Sequence, residues 1–520
     1  MSATQAERRS AIEHELFEIT DEIKEAMKSA RIENRNKYPH IDDTNKSEGR
    51  NNFRAYDQTQ SFFITVTKDK FLDASHPAAI IDTIIEHLDL ENLYNYYSHE
   101  GNQPYHPKMM LKILFYGYYT GIMSCRTIWD SVINRSDFMY LAAGQVPNFR
   151  TINDFRLRHL KDLSGLFTQI VLLCKELDML DFEHMAIDGQ KIQANANYKK
   201  SKNLKGIKKE YEKIKEGLGK LLEKEVNEYF TTDTKDKRIT TLAKRLDKLE
   251  TFQKQLEALN DEEKRINMVD SDAPIMTHKD GQKIPSYSHQ SGRDSKYGVA
   301  TAAQSTQNND LPEDLLPMVD QSIENTGEKH AKITGDCGFC DYAILQKVED
   351  EREEDFYIPD RRFSASQKEG KGKFSLEKFE KDDAGEYTCS AGNPMEYQRT
   401  LTFDDGHTVD LYQGTACAGC PLKKRCTNGK KRNINIDSRI PYRDIMRAKL
   451  TSEEGREIYM KRQGLIEPVH GDDQKNKGWI QHHLRGFEKA SAEFVLMRIA
   501  TNLALMVKHR EKKILAWAEA

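Results

Sequence analysis

The sequence predicts an α/β core joined to an all-α N-terminal domain. Apolar residues recur at helical spacing through most of residues 77–180, whereas short apolar strands alternate with helical segments further along the chain. In addition, two of those strands end in an aspartate that is followed by a small residue. At 520 residues the chain is too long for one ordinary core, so we expect two to four structural units.

The N-terminal region is predicted to be helical in two parts. Residues 1–58 form a charged, amphipathic extension, and residues 59–180 form a helical domain in which PKMMLKILFYGYYTG has proline near its start and glycine at its end. Its last helix contains Arg150, Arg156 and Arg158, which suits a helix-turn-helix-like unit that contacts DNA. A helical packing domain without DNA contacts is the alternative.

The α/β core is predicted to begin with residues 181–200 and to resume over 264–365. KYGVATAAQST, HAKITGD and DFYIPDRR are typical of strands, and DYAILQKVEDE is typical of a helix. Between the two parts, residues 201–263 contain two apolar seams separated by a polar turn, which predicts an inserted antiparallel coiled coil.

Two aspartates are candidates for chemistry. Asp188 follows the apolar rise Met185-Ala186-Ile187 and precedes a glycine, and Asp336 ends HAKITGD. A buried carboxylate at a strand end is costly unless it is paired or holds a cation. The alternative for Asp188 is a turn residue that closes the strand, because Asp-Gly is common in turns.

Four of the eight cysteines indicate a structural zinc site in an insertion over residues 366–436. Cys417 and Cys420 form a C-x2-C pair, with Cys426 six residues beyond and Cys389 upstream. His407 is the alternative ligand if Cys389 is not one. Cys337 and Cys340 have the same spacing without a second pair, so we interpret them as buried or incidental.

The chain as a whole, with a formal net charge of −4, does not indicate a nucleic-acid partner. One window does: residues 421–449 contain ten basic residues against two acidic ones, a net charge of +8. Its candidate phosphate contacts are Lys423, Lys424, Arg425, Lys430, Lys431 and Arg432. A solvated charged loop is the alternative.

A third carboxylate lies in the C-terminal part of the core, predicted for residues 437–510. In YMKRQGLIEPVHGDDQKNKG, Tyr459 and Arg462 precede Glu467, and Lys475 and Lys477 follow it. The tyrosine and the basic residues are candidates to contact phosphates, and the glutamate is a candidate metal ligand. A glutamate on a solvated helix face is the alternative.

We expect a cytoplasmic protein with no membrane partner. The N-terminal MSATQAERRS lacks the apolar region of a secretory signal, and AEFVLMRIATNLALMV includes Glu493, Arg498 and Asn502, which favours a buried core helix over a membrane span. Clustered cysteines in this setting favour thiolate ligands in a reducing compartment over disulfides.

Taken together, these stretches resemble the DDE transposases of bacterial insertion sequences, in the class with a tyrosine-arginine-glutamate-lysine signature and an inserted cysteine cluster. The resemblance spans residues 60–508 and rests on MAIDGQKIQANAN, DSDAPIMTHKDG, YGVATAAQS, ITGDCGFCDYAILQKV, CAGCPLKKRC and YMKRQGLIEPVHG. The signature departs slightly from the class, because four residues separate Arg462 from Glu467 and Lys475 lies eight beyond the glutamate.

The resemblance implies an RNase H-like core with Asp188, Asp336 and Glu467 as catalytic residues that bind two Mg²⁺ (or Mn²⁺) ions. It also implies metal-dependent cleavage and strand transfer on double-stranded DNA, at the terminal inverted repeats of the element and at target DNA. The bacterial nucleoid is then the expected place of action, and pairing of two ends makes a homodimer the expected synaptic form. A catalytically silent, transposon-derived DNA-binding protein and a structure-specific nuclease are the alternatives.

Overall fold

The computed structural model describes residues 21–37, 72–97, 102–224, 231–259, 261–308, 312–363, 374, 376–382 and 385–519. Most of the predicted N-terminal extension, residues 1–20 and 38–58, lies outside these ranges, as do residues 366–373 of the predicted cysteine insertion.

The N-terminal part of the described chain is helical. Its helices are α1 (Asp21–Lys37), α2 (Pro77–Glu86), α3 (Glu91–Tyr94), α4 (Pro107–Tyr119), α5 (Cys125–Asn134), α6 (Ser136–Leu141), α7 (Phe149–Arg158) and α8 (Leu163–Glu176). Helices α2 and α4 begin alike: a proline opens the first turn, and the preceding His76 or His106 accepts a backbone N–H hydrogen bond of 3.2 Å. Proline suits this position because the first N–H groups of a helix have no helical partner.

Beyond residue 180, strands and helices alternate. The strands are β1 (His184–Gln193), β2 (Ser201–Lys202), β3 (Ile266–Asn267), β4 (Ile275–Thr277), β5 (Lys283–Asp294), β6 (Ala300–Thr306), β7 (Lys332–Thr334), β8 (Asp355–Tyr357), β9 (Glu380–Lys381), β10 (Tyr387–Thr388), β11 (Pro394–Thr402), β12 (Thr408–Gly414) and β13 (Asn433–Asp437). The helices are α9 (Leu204–Glu223), α10 (Thr232–Ala258), α11 (Leu315–Thr326), α12 (Tyr342–Asp350), α13 (Lys423–Cys426), α14 (Ile440–Thr451), α15 (Glu453–Gly471) and α16 (Phe487–Glu519).

A six-stranded sheet organises the α/β core. Its order is β4-β5-β1-β7-β8, and β6 also pairs with β5. Strand β1 is parallel to β7 and antiparallel to β5, and β7 is parallel to β8. The sequence did not indicate β5, because KIPSYSHQSGRD lacks apolar alternation although ten of its residues are buried. Its buried side chains are largely polar, and two of them, His289 and Gln290, bond to His482 and Asp314, which are distant in sequence.

Two hydrophobic clusters sandwich the sheet. Met185 and Ile187 of β1 pack with residues of α11, α12 and α14, whereas Ile192 packs with the N-terminal helices and α16. Helix α16 contacts α4, α8 and β6, so it joins the helical region to the sheet. Helix α1 also packs on α8 and buries Met27 there.

Two insertions extend from the core. Helices α9 and α10 form an antiparallel hairpin around a small core that includes Ile207, Ile214 and Leu249, and β2 pairs with β3 at its base. The second insertion is an antiparallel sheet in the order β13-β12-β11-β10-β9, which contains the four cysteines of the predicted zinc site.

In the described part of the chain, one helical stretch, Phe487–Arg510 of α16, is long and apolar enough to cross a membrane. Of its most apolar window, 78% is buried inside the protein. Two charged residues of this helix are fully buried and paired: Glu493 with His482, and Arg498 with Asp473. These features are those of a core helix.

Candidate active site

Asp188 lies inside strand β1 and not at its end. The strand continues to Gln193, and Asp188 and Gly189 pair with Ser291 and Gln290 of β5. The turn interpretation of Asp188-Gly189 is therefore wrong, and so is the expectation that the strand stops at the aspartate. Pairing between β1 and β7, however, ends at Ala186, which leaves Asp188 just past the last residue paired on that side.

The parallel register places Asp336 beside Asp188. Ala186 pairs with Thr334, so each aspartate lies two residues beyond the same rung of the ladder. Asp336 follows β7 and its Oδ1 accepts the backbone N–H of Gly338 at 2.7 Å, which turns the chain out of the sheet. Two carboxylates from neighbouring parallel strands thus lie near each other just beyond the point where the pairing of β1 with β7 ends.

Helix α15 packs against β1 and β7 and supplies the basic and aromatic residues of the site. Its N-terminus is capped by Ser452, whose Oγ accepts the Gly455 N–H at 3.0 Å. Arg462 forms an ion pair of 2.9 Å with Asp188 Oδ1, and its guanidinium lies 5.9 Å from the Tyr459 ring centroid. The predicted tyrosine-arginine pair therefore lies at the two aspartates.

Glu467 is on the same helix but has a different environment. Its side chain is exposed, and its Oε1 accepts a hydrogen bond of 2.8 Å from Gln463. The α15 residue that approaches the free oxygen of Asp188 is His470, with Nδ1 3.9 Å from Oδ2. The sequence analysis did not single out His470.

Burial and charge shift the pKa values of this site. Burial raises the pKa of Asp188 to about 6, Arg462 opposes the rise, and the nearby Asp336 carboxylate adds to it. Burial also raises the pKa of the Tyr459 hydroxyl. Burial, reinforced by Arg498 and Arg293, lowers the pKa of His470 to about 3, so its imidazole is neutral at physiological pH.

These donors suit a divalent cation. Asp188 is an acidic group that is destabilised when ionised, and a cation beside it would relieve both its desolvation and its repulsion with Asp336. In the described residues, however, no three histidine, cysteine or carboxylate side chains are close enough together to hold a metal ion. Glu467 would complete the set only by turning towards the two aspartates.

The remaining signature residues differ in exposure. Lys475 is exposed, whereas the side chain of Lys477 is only 7% exposed and forms an ion pair of 2.9 Å with Asp472. Lys477 also packs against Gly121. A Cβ added to Gly121 would lie 3.1 Å from the Cα of Lys477. The Lys477 ammonium is therefore engaged inside the protein, and its contact with phosphate stays a prediction.

The arginines of α7 separate into surface and interior residues. Arg150 and Arg158 are exposed, and the guanidinium of Arg158 lies 5.3 Å from the Tyr97 ring centroid. Arg156 is 4% exposed and donates hydrogen bonds to the Tyr118 hydroxyl and the Met123 carbonyl, both at 3.2 Å. The prediction that Arg156 contacts DNA is therefore wrong, because its buried guanidinium bonds α7 to Tyr118 of α4.

All four predicted zinc ligands line one small cavity, about 30 Å³ in volume. Its lining includes Cys389, Cys417, Cys420 and Cys426. His407 does not line it and pairs instead with Asp405 in the turn between β11 and β12, which favours Cys389 over the histidine. The four thiols line one cavity, but no three of these described side chains are close enough together to form a metal site. Of the other C-x2-C pair, Cys337 is exposed and Cys340 is half-buried.

The basic residues of the cysteine insertion are mostly on its surface. Lys424, Arg425 and Lys430 are exposed, Lys423 is partly exposed, and Lys431 donates a hydrogen bond of 3.0 Å to Gln413. Arg432 instead donates to the carbonyls of Cys426 and Phe374, at 3.4 and 2.9 Å. The Arg432 guanidinium therefore joins two segments of the insertion, and a DNA contact at this residue stays a prediction.

A buried polar network that no sequence pattern indicated joins β5 to α16. His289 Nε2 lies 2.8 Å from His482 Nε2, and His482 Nδ1 lies 3.0 Å from Glu493. Glu493 also accepts from His483 and, at 3.5 Å, from the Tyr118 hydroxyl of α4. The sequence contains two signals of this network, the dipeptide His482-His483 and the charged Glu493 inside an apolar run. Neither signal shows which residues these side chains contact.

Two family models match the chain. Residues 388–507 match the model described as "Transposase DDE domain", and residues 66–158 match "Transposase domain (DUF772)". The first match includes Glu467 and the four cysteines, whereas Asp188 and Asp336 lie outside both matches. Comparison with curated proteins and with solved structures finds no match.

Proposed function

The two matches show a transposase of the DDE type, and from that premise we propose that this chain cuts DNA at the ends of an insertion sequence and joins those ends to target DNA. A DDE transposase domain implies an RNase H-like fold, a DNA partner and use of a divalent metal ion. The finer proposal concerns which residues act and which bonds are broken.

One observation supports the proposal above all: Asp188 and Asp336 extend side by side from parallel strands, with Arg462 and Tyr459 of α15 next to them. We assign Asp188, Asp336 and Glu467 to hold two Mg²⁺ or Mn²⁺ ions. Such ions, when bound, activate the attacking hydroxyl and stabilise the leaving oxygen.

The protein's own groups have separate roles in this proposal. Asp188 and Asp336 would hold the metal ions beside each other, and Glu467 would turn inward from α15 to complete the ligand set when DNA is bound. Arg462 releases Asp188 Oδ1 to contact the phosphate, where its planar fork matches two phosphate oxygens. Tyr459 supports Arg462 through its ring and donates its hydroxyl to the DNA backbone.

The test uses labelled duplexes that contain the element end, with Mg²⁺ or Mn²⁺. We expect Asp188→Asn, Asp336→Asn and Glu467→Gln each to reduce cleavage and strand joining by at least about 10³-fold, while binding to the same duplex is retained. Glu457→Gln is the matched control, because it removes the charge of an exposed glutamate on the same helix, and this variant should keep full activity.

The products distinguish this proposal from its alternatives. Cleavage without joined strands, under conditions that supply target DNA, would indicate a structure-specific nuclease. Binding without cleavage by the unaltered protein would indicate a silent DNA-binding descendant. Full activity of Asp336→Asn would overturn the assignment of the second aspartate.

We propose DNA contacts on two surfaces. One is on α7 through Arg150 and Arg158, and the other is on the cysteine insertion through the partly exposed Lys423 and the exposed Lys424, Arg425, Lys430 and Lys431. Lys475 is the candidate beside the active site. Since joining requires two element ends in one complex, we propose a homodimer as the synaptic form, acting in the bacterial cytoplasm on the nucleoid.

We also propose that the cysteine insertion binds a structural Zn²⁺ through Cys389, Cys417, Cys420 and Cys426. The shared cavity supports this assignment, and small rotations of the side chains would direct the thiols inward. A metal ion would also add stability, because the hydrophobic cluster in the described part of the insertion has three buried members, Phe379, Met395 and Ile434.

A further inference from the structure

His470 has an unusual position for a residue without a hydrogen bond. It lies on the last turn of α15 with its side chain 19% exposed, and the structure shows no hydrogen-bond partner for either ring nitrogen. Its nearest acidic neighbour is Asp188, whose Oδ2 lies 3.9 Å from Nδ1. Half-buried imidazoles ordinarily pair with a donor or acceptor.

The 3.9 Å separation is too long for a hydrogen bond and lies between the two ligand separations of an octahedral ion, so a shift of about 1 Å, by rotation of either side chain, would bring the two atoms to the separation of adjacent ligands. Ligands at about 2.1 Å from an ion lie about 3 Å apart when adjacent in an octahedron and at most about 4.2 Å apart when opposite. The other oxygen of Asp188, Oδ1, is bound to Arg462, so Oδ2 is the one that faces the histidine.

Helix geometry gives His470 a more direct approach to this point than Glu467. Tyr459, Arg462, Ile466 and His470 follow each other at spacings of three or four residues, which places them on one face of α15. Ile466 is buried on that face, and Arg462 and His470 both reach Asp188. Glu467 lies about 100° further round the helix from Ile466 and is exposed.

We propose that His470 is a nitrogen ligand of the divalent ion held by Asp188, and that it biases the site towards transition-metal ions such as Mn²⁺. This rests on the proposed function, which supplies the metal. Imidazole is a common ligand of first-row transition metals, whereas Mg²⁺ is bound almost wholly by oxygen. Glu467 remains free to bind the second ion, which the DNA phosphate would help to hold.

The test is spectroscopic and does not depend on turnover. Mn²⁺ is added to the full-length metal-free protein, and electron spin-echo envelope modulation is recorded for the unaltered chain and three variants. We expect ¹⁴N modulation from a bound imidazole in the unaltered protein, in Glu467→Gln and in His278→Gln, a control histidine of the same core that bonds to Ser286. The modulation should be lost in His470→Gln.

Calorimetric titration gives an independent readout. In His470→Gln the affinity for Mn²⁺ should fall on the order of tenfold or more, while the affinity for Mg²⁺ changes less, so the preference for Mn²⁺ narrows. If His470→Gln does not unfold cooperatively on heating as the unaltered protein does, His470→Asn is used in its place. Asparagine keeps a polar atom near the position of the histidine Nδ1.

The outcomes separate the two proposals. Bound Mn²⁺ without ¹⁴N modulation in the unaltered protein, or modulation that persists in His470→Gln, would overturn the role of His470 and leave the proposed function standing. Absence of Mn²⁺ binding with and without element-end DNA would overturn the metal-dependent function, and the role of His470 with it.

Discussion

Asp188 shows how one residue can be both necessary and costly. Its side chain is 19% exposed and lies beside another carboxylate, and Arg462, the Gly189 N–H and Lys279 only partly compensate, so its pKa rises from the ordinary 3.8 to about 6. Between these two values the native state binds more protons than the unfolded state. The stability that protonated Asp188 contributes is therefore present at low pH and is lost as the pH rises through 6.

The raised pKa of Asp188 predicts a pH dependence for the metal-free protein. Relative to Asp188→Asn, the unaltered chain should lose up to about 3 kcal/mol of unfolding free energy between about pH 4 and pH 7, since one pKa unit corresponds to about 1.4 kcal/mol. Urea unfolding of both proteins across that range gives the difference. A difference that stays constant or grows with pH would contradict the raised pKa.

Single residues were predicted unevenly from the sequence. The types and order of Asp188, Asp336, Tyr459 and Arg462 indicated a common site, because carboxylates after apolar strands and a tyrosine-arginine pair suit phosphoryl chemistry. Arg156, Arg432 and Lys477 looked equally suited to phosphate, yet each is committed to a partner inside the protein. Charge is visible in a sequence, but the partner of a charge is not.

At the scale of elements, the described part of the cysteine insertion has a small hydrophobic core. Its strands β9 to β13 form a sheet with few buried side chains, and several exposed cations lie next to the thiol-lined cavity. Bound zinc would add stabilising free energy locally, without affecting the packing of the sheet that contains Asp188.

We predict that the insertion loses its fold when its metal is removed. Cys417→Ser and Cys420→Ser should lower the zinc content from about one ion per chain to near zero and abolish protection from hydrogen exchange over residues 387–437, while β1 and β7 remain protected. Cys337→Ser, at an exposed cysteine elsewhere, is the matched control. An unaltered protein that contains no zinc by atomic absorption would contradict the assignment.

Helices and strands differed in how well they could be predicted. The helical region before residue 180 is present, since its apolar periodicity agrees with its buried faces. Strand β5 was missed because its side chains are polar, and they are buried only because α11, α16 and the segment around His482 supply partners. The pairing of β1 with this strand is also why Asp188 lies mid-strand.

At the scale of the whole molecule, α16 and its buried glutamate join the N-terminal helices to the sheet. Burial alone would raise the pKa of Glu493, but hydrogen bonds from His482 and His483 lower it, so the carboxylate is ionised inside the protein. The same carboxylate accepts from Tyr118, which in turn accepts from Arg156. The helical region and the core therefore share one polar network.

We predict that this network stabilises the whole chain cooperatively. Glu493→Ala should lower the unfolding free energy by roughly 3–5 kcal/mol, because it leaves His482, His483 and two backbone N–H groups without their acceptor. Glu488→Ala, an exposed glutamate on the same helix, should change it by less than about 0.5 kcal/mol. Equal effects of the two substitutions in urea unfolding would show that the network is not a structural link.

The sequence by itself determined the class of fold, the helical N-terminal region and the set of candidate acidic and basic residues, because these depend on local periodicity and on residue chemistry. Only the tertiary structure decided which candidates meet. The β1–β7 register brings Asp188 to Asp336, the turn of α15 directs Arg462 and His470 towards them, and packing removes Arg156 and Lys477 from the surface. Contacts between residues hundreds of positions apart depend on register and packing, which no local pattern specifies.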